Sequence, residues 1–353
     1  MRRLLPVLPL LAIALVACGS GDTPAASSDR SAASKDAGTL NIYSARHYDS
    51  DRILYDTFEK QTGIKVSFRE SKAPQLLETL KAEGDASPAD VIIAADAGTL
   101  YRFQTAGLTQ PIESEVINTV IPARFREENN HWVGLAKRAR VIVYDPARLD
   151  PEDVDDYTDL ASGKLQGEIC MRSSTNIYNL SLMGELIERL GQDTAKAWAR
   201  SVVANFARQP QGGDTTQIES IAAGECSVAL VNHYYYVRLA QSESEAKRTV
   251  AAKTRLAFPG QTGNGTHINV TAAAITANAP SKDNAVRFIE FLTTPEGQSL
   301  LTTETKEFPI IAGITPPAGV ENLPMFKESD MSLTRLGERQ SDAQTVFDTA
   351  GWN

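Results

Sequence analysis

TLNIYSARHYDSDRILYDTFEKQTGIKVSFRE, residues 39–70, sets the fold class. It opens with a short β-rich run, TLNIYSA. A helical stretch follows, with Ile53, Leu54 and Phe58 spaced for one face and Gly63 as a stop signal. The strand IKVSFRE comes next. Beyond it the alternation continues through the helix APQLLETLKAEG, the strand ADVIIAA and a helix from about Gly98 to Ala106, closed by Gly107. This βαβαβα order predicts a parallel sheet covered by helices.

Outward from there, WVGLAKRARVIVYDP, starting at Trp132, is a long β-rich segment and a candidate crossover into a second lobe. A second α/β series follows: GEICMRS, a helix after Ile177, the helices TAKAWARSVVANF and TTQIESIAAGE, and the strand CSVALVN. THINVTAAAITA, from Thr266, is a candidate return crossover, and KDNAVRFIEFLTTPEGQSLLTTE reads as one helix. The pattern predicts two α/β lobes with a ligand cleft between them. Their expected limits are 39–138 plus 267–312 for the N-terminal lobe and 139–266 plus 313–353 for the C-terminal lobe.

The N-terminus reads differently. Arg2 and Arg3 precede a nearly all-apolar run from Leu4 to Ala17, the layout of an export signal and short for a membrane span. Leu15-Val16-Ala17-Cys18 resembles the lipobox of bacterial lipoproteins, which implies removal of residues 1–17 and lipidation of Cys18. Residues 18–38 are small and polar and bury too little apolar surface to order themselves, so they read as a tether. Localisation is thereby expected to be periplasmic or at the cell surface, with the membrane reached through the N-terminal lipid alone.

Removing the signal leaves 336 residues, enough for two domains with cores, and shifts the formal charge from −9 to −11. An acidic chain without a basic run is a poor nucleic-acid binder. HExxH, GxSxG, P-loop and dinucleotide motifs are absent from the sequence, and the chain is read as a non-enzyme. Cys170 and Cys226 lie in apolar strand-like segments. They either pair across a loop that a disulfide would stabilise or remain buried thiols.

Ligands of α/β sheets bind beyond the carboxyl ends of strands. Three such places carry tyrosine: Arg46-His47-Tyr48, Tyr178, and His233-Tyr234-Tyr235-Tyr236. Half of the chain's ten tyrosines fall there. A phenolate is a hard anionic oxygen donor suited to a small, highly charged cation, of which ferric iron is the commonest in biology. A nearby trivalent ion favours the ionised phenol, whose unperturbed pKa is about 10. Zinc prefers Cys, His and carboxylate, and calcium and magnesium prefer carboxylates and carbonyls.

NIYSARHYDSD (41–51), MRSSTNIYN (171–179), DTTQIESIAAGECSVALVNHYYYVRL (214–239) and GTHIN with EFPI (265–269 and 307–310) resemble the ferric-iron-binding proteins of bacterial ABC transporters. The likeness is greatest to the multi-tyrosine branch known from cyanobacteria and runs from about Thr39 to Thr315. It implies the two-lobe periplasmic binding protein fold (type II), Fe3+ as transported ligand with no catalytic cofactor, a monomer, and a permease partner in the cytoplasmic membrane. By position it implies Tyr48, Tyr178, Tyr234 and Tyr235 as phenolate ligands and His47 as a further ligand or a neighbour. Tyr236 stands where the family has an aliphatic residue and is expected to pack outside the metal's ligands. His233 replaces a small residue. Ser173, Ser174 and Asn176 match positions that hold a companion anion in some relatives. Four phenolates on Fe3+ sum to −1, a charge that favours nearby cations; Arg46, Arg138 and Arg238 are the candidates. The competing reading is a protein of the same fold for a small organic ligand (a sugar, polyamine or thiamine), with the aromatic rings stacking on it. His131 and His267 read as structural, and Asp49 and Asp51 as first-turn residues that favour the helix dipole.

Overall fold

The computed structural model describes residues 37–46 and 48–353. The expected signal peptide, lipidated Cys18, most of the tether, and His47 lie outside the described residues.

The first series contains β1 (Thr39–Ser44), α1 (Ser50–Thr62), β2 (Lys65–Glu70), α2 (Ala73–Glu83), β3 (Val91–Ala94), α3 (Ala97–Thr105), β4 (Thr109–Gln110) and α4 (Glu115–Val120). The long crossover strand β5 spans Val133–Tyr144. The second series contains β6 (Ile169–Cys170), α5 (Ile177–Leu190), α6 (Gln192–Ala204), α7 (Asp214–Ala222), β7 (Val228–Asn232), α8 (His233–Ala240), α9 (Glu245–Ala252) and β8 (Arg255–Ala257). Strand β9 (Ile268–Thr276) returns, followed by α10 (Lys282–Thr293), α11 (Pro295–Thr303), β10 (Phe308–Pro309), α12 (Leu333–Glu338) and α13 (Gln340–Ala350).

The strands join in the order β2-β1-β3-β9-β5-β7-β6. The parallel sheet expected for the first series holds for its three main strands, and the whole sheet is mixed. Strands β1, β2 and β3 are parallel, but β9 enters antiparallel between β3 and β5, and β5 runs antiparallel to β7. The reason is that the crossovers are themselves strands rather than helices, so each reverses direction where it joins the ladder. Strand β5 serves both halves: Val133–Ala139 pairs with β9, and Arg140–Tyr144 pairs with β7. Every residue of β9 is buried, which fits a strand covered on both faces.

Local chemistry fixes the helix ends. Gly63 takes φ 75°, a left-handed conformation open to glycine, and its N–H donates to the Glu59 carbonyl to close α1. Along α1 the buried face is Asp51, Leu54, Tyr55 and Phe58, and Ile53 is 57% exposed, contrary to its expected core position. The predicted single helix over 282–304 is two helices. Thr294 adopts an extended conformation ahead of Pro295, and its hydroxyl accepts from the Gly297 N–H at 3.1 Å, starting α11 afresh.

Two hydrophobic cores result. One lies around β1, β3, β9 and the first part of β5 and reaches α7 and Cys170–Cys226. The other lies beneath α5, α6 and α13, with Tyr157, Trp198 and Trp352 at its centre. Cys170 and Cys226 form a disulfide with Cα atoms 5.8 Å apart, which ties β6 to the segment entering β7. Helix α12 packs against both α3 and α5. Gly337 allows that approach, because a Cβ there would lie 2.5 Å from the Cβ of Tyr101.

Candidate metal centre

Each tyrosine is delivered by a strand end. Tyr48 sits between β1 and α1. Tyr178 is in the first turn of α5, where the Asn176 side chain accepts from the Tyr178 N–H at 3.2 Å and caps the helix. Tyr234 and Tyr235 occupy the first turn of α8, directly after β7. Helix N-termini carry partial positive charge, so the phenols of α5 and α8 stand where an anion is favoured.

The phenols meet. The Tyr234 hydroxyl donates to the Tyr178 hydroxyl at 3.2 Å, and the Tyr234 and Tyr235 ring centroids are 4.4 Å apart. Arg238, one turn further along α8, places its guanidinium 4.8 Å from the Tyr234 ring, 5.8 Å from Tyr235 and 5.2 Å from Tyr48. It thereby links Tyr48 to the pair on α8. Among the described residues no group of three or more His, Cys, Asp and Glu side chains is placed to hold a metal ion. The hard donors that gather are phenols.

Five guanidiniums surround them. Arg46 lies 5.0 Å from the Tyr48 ring. Arg138, Arg140 and Arg172 lie 5.1, 6.0 and 5.7 Å from that of Tyr178, and Arg238 completes the set. Arg46, Arg138 and Arg140 are all but fully buried. Carboxylates hold four of the five. Asp51 binds Arg46 through both oxygens at 3.1 Å, Glu307 binds Arg138 at 3.2 Å, and Asp214 binds Arg140 at 2.8 Å and Arg172 at 3.0 Å. Arg238 instead donates to the Thr305 carbonyl at 2.7 Å. Burial pushes the Tyr178, Tyr234 and Tyr235 phenols up, and Arg138 works against that at Tyr178 and Tyr234. These phenols are neutral at neutral pH.

Sequence reasoning singled out Arg46, Arg138 and Arg238 and missed Arg140, Arg172 and Asp214. A signal existed in β5, where Arg138 and Arg140 sit two apart in a largely apolar strand that also carries Lys137, and so share a face. Asp214 is fully buried at the start of α7 and also accepts from the Asn232 N–H at 2.7 Å, which fixes the backbone leading into α8.

The histidines take other roles. His233 is buried, its Nδ1 accepts from the Ala139 N–H at 3.2 Å, and its ring stacks on Phe308. Nε2–H must therefore donate to the Lys306 carbonyl, 2.9 Å away. Burial pushes its pKa down to about 3, so the ring is a neutral clamp between β5, α8 and the turn before β10. His267 pairs with Glu185 and His131 with Thr109. The half-buried Tyr236 points to the Ala251 and Thr254 carbonyls, 3.4 Å from each, and away from Tyr234.

Beside Tyr178 opens a cavity of about 650 Å3. Ala45, Lys72, Ala95 and Thr99 line one side and Arg172, Ser173, Thr175, Asn176 and Gly212 the other.

A curated relative, iron uptake protein A1 of Synechocystis, is 41% identical over 313 residues, covering 89% of this chain and 87% of its own length. Two solved structures are similar. One is a Trichodesmium protein (IdiA, FutA) in complex with iron and citrate ligands: 43% identity, TM-score 0.86, covering 90% of this chain and all of that one. The other is a ferric binding protein from Campylobacter jejuni: 37% identity, TM-score 0.85, covering 89% of this chain and all of that one. The chain has the two-lobe type II fold of these structures. The family pattern for bacterial extracellular solute-binding proteins matches residues 54–328. The chain belongs to the bacterial extracellular solute-binding proteins.

Proposed function

We propose that this protein captures ferric iron outside the cytoplasmic membrane and delivers it to an ABC-type importer. Tyr48, Tyr178, Tyr234 and Tyr235 are the proposed phenolate ligands, and His47 is an adjacent candidate. The observation that carries the reading is the meeting of Tyr178, Tyr234 and Tyr235, with Tyr48 linked to them through Arg238, amid five guanidiniums. Tyrosinate is a strong ligand for a trivalent hard ion. The guanidiniums offset the anionic charge that four phenolates create, and charge pairs of this kind count for most in a dry site. The names of the relatives point the same way.

The finer features are part of the proposal. The lobes divide at 138/139 within β5 and at 266/267 before β9, and residues 313–353 belong to the C-terminal lobe. Iron bridges Tyr48 of one lobe and Tyr178, Tyr234 and Tyr235 of the other, which favours a closed state made of contacts that the open state lacks. A permease recognises that state, and reduction to Fe2+ loosens the phenolate grip. The protein acts as a monomeric binding protein, not an enzyme, anchored through lipidated Cys18. The 650 Å3 cavity beside Tyr178 favours one competing reading, in which a small organic solute binds there against the aromatic rings.

A visible absorption titration with ferric citrate at neutral pH separates the two. A saturable phenolate-to-iron charge-transfer band near one iron per protein, lost in mild acid, supports ferric binding. No band, with no rise in melting temperature on adding iron, rejects it in favour of the organic solute. Tyr235→Phe is expected to weaken binding greatly and leave the fold intact. Retained colour and affinity in that variant removes Tyr235 from the ligand set.

A further inference from the structure

Glu307 is a buried carboxylate just before β10 that the proposed ligand set does not use. One oxygen accepts from Arg138 Nη1 at 3.2 Å, and the other lies 3.8 Å from Arg46 Nη1. The Thr271 hydroxyl donates to both oxygens, at 2.9 and 3.1 Å. Burial alone would raise this carboxyl; Arg46, Arg138 and Thr271 outweigh it and hold it ionised.

The two arginines sit against different ligand rings, Arg46 against Tyr48 and Arg138 against Tyr178. Glu307 is therefore one charge that acts on both proposed arms of the site. Arg46 already has Asp51, bound through both oxygens. The quartet Arg46, Arg138, Asp51 and Glu307 sums to zero, and without Glu307 it would carry one net positive charge beside the phenolates.

Iron uptake changes the charge of the centre. Four neutral phenols become four phenolates around Fe3+, a net change from zero to −1. A fixed carboxylate behind the arginines opposes that change, and a fixed cation assists it.

We propose that Glu307 is a charge-setting residue of the iron site, whose carboxylate holds Fe3+ affinity below the level the surrounding arginines alone would give. This rests on the ligand reading above. Glu307 touches no proposed ligand and acts through Arg46 and Arg138, so it is a positioning and tuning residue.

The test is Glu307→Gln, which keeps the shape and removes the charge. Iron affinity is read by competition with citrate at fixed neutral pH and salt. The expected result is binding at least about tenfold tighter than wild type, the scale of one charge acting across roughly 10 Å at an effective dielectric near 20. The visible band and the one-to-one stoichiometry are retained. The Fe3+/Fe2+ potential rises, because a more cationic surround favours the more anionic reduced centre. A structural role gives the opposite sign, since loosened arginines release iron. Unchanged or weaker binding in a folded E307Q protein that keeps its band overturns the proposal and leaves the ligand reading standing. Failure of the wild-type protein to develop the band overturns the ligand reading and the proposal with it.

If E307Q does not fold, Thr271→Val supplies the test. It removes a hydrogen-bond donor from the carboxylate, strengthens its field and is expected to weaken iron binding severalfold. Unchanged or tighter binding in T271V overturns the proposal.

Discussion

Arg238→Met is the most direct probe of how the site balances charge. The guanidinium lies 4.8 to 5.8 Å from the rings of Tyr234, Tyr48 and Tyr235, and no carboxylate pairs with it among the described residues. Its charge is therefore available to the metal centre undiminished. An iron held by four phenolates carries −1 and sits beyond the hydroxyl ends of the rings, roughly 7 Å from the guanidinium. At an effective dielectric near 20 the attraction is about 2 kcal/mol, which corresponds to about thirtyfold in affinity. Methionine keeps most of the side-chain bulk, so packing of α8 is preserved. Citrate competition monitored by the visible band measures the loss. R238K, which keeps the charge but not the hydrogen bond to the Thr305 carbonyl, is expected to retain most of the affinity. An R238M protein that is folded and binds iron as tightly as wild type would refute the electrostatic argument.

Binding is expected to release about four protons per iron at neutral pH, one for each phenol of the proposed ligand set, and burial raises the pKa of three of these, Tyr178, Tyr234 and Tyr235, before metal arrives. Affinity therefore falls as pH falls, and proton-neutral uptake in weakly buffered solution would contradict phenolate ligation. His233 has a folded pKa depressed to about 3, so its contribution to stability is present above its unfolded pKa of about 6.5 and is lost as pH falls from there toward 3. His233→Gln is expected to flatten the melting-temperature slope across that window by one proton's worth, and an unchanged slope would show that the ring is not buried neutral. Replacing Cys170 and Cys226 together by alanine removes a link between positions 56 apart and is expected to cost about 4 kcal/mol on the chain-entropy model. Denaturant unfolding reads that loss, and iron stoichiometry is expected to stay the same.

The strand-end tyrosines were legible because strand and helix alternate cleanly and the sequence punctuates each junction. TLNIYSA before Tyr48 and CSVALVN before Tyr234 mark their strands by composition alone. What lay beyond reach was pairing across long separations. Nothing local in INVTAAAIT says that this strand enters antiparallel between β3 and β5. The same holds for Asp214 and Glu307, which look like ordinary helix-start and loop acids until the fold brings arginines to them. The misplacement of Ile53 has a different origin. Helical spacing puts it near Leu54 and Phe58, but the face against the sheet is turned toward Tyr55. At Pro295 the local rule against helical residues before proline was available and was outweighed by the apolar period on either side.

The position of β9 has a consequence for how the molecule comes into being. It is the central partner of β3 and of the first part of β5, yet it is encoded late, at residues 268–276. A ribosome that has delivered residues 39–260 has produced two strand edges that face one another across an absent neighbour. Neither can satisfy its backbone groups until the late segment arrives, and closing a sheet across such separations is slow. Vectorial synthesis thus leaves this sheet incomplete until nearly all of the chain is available.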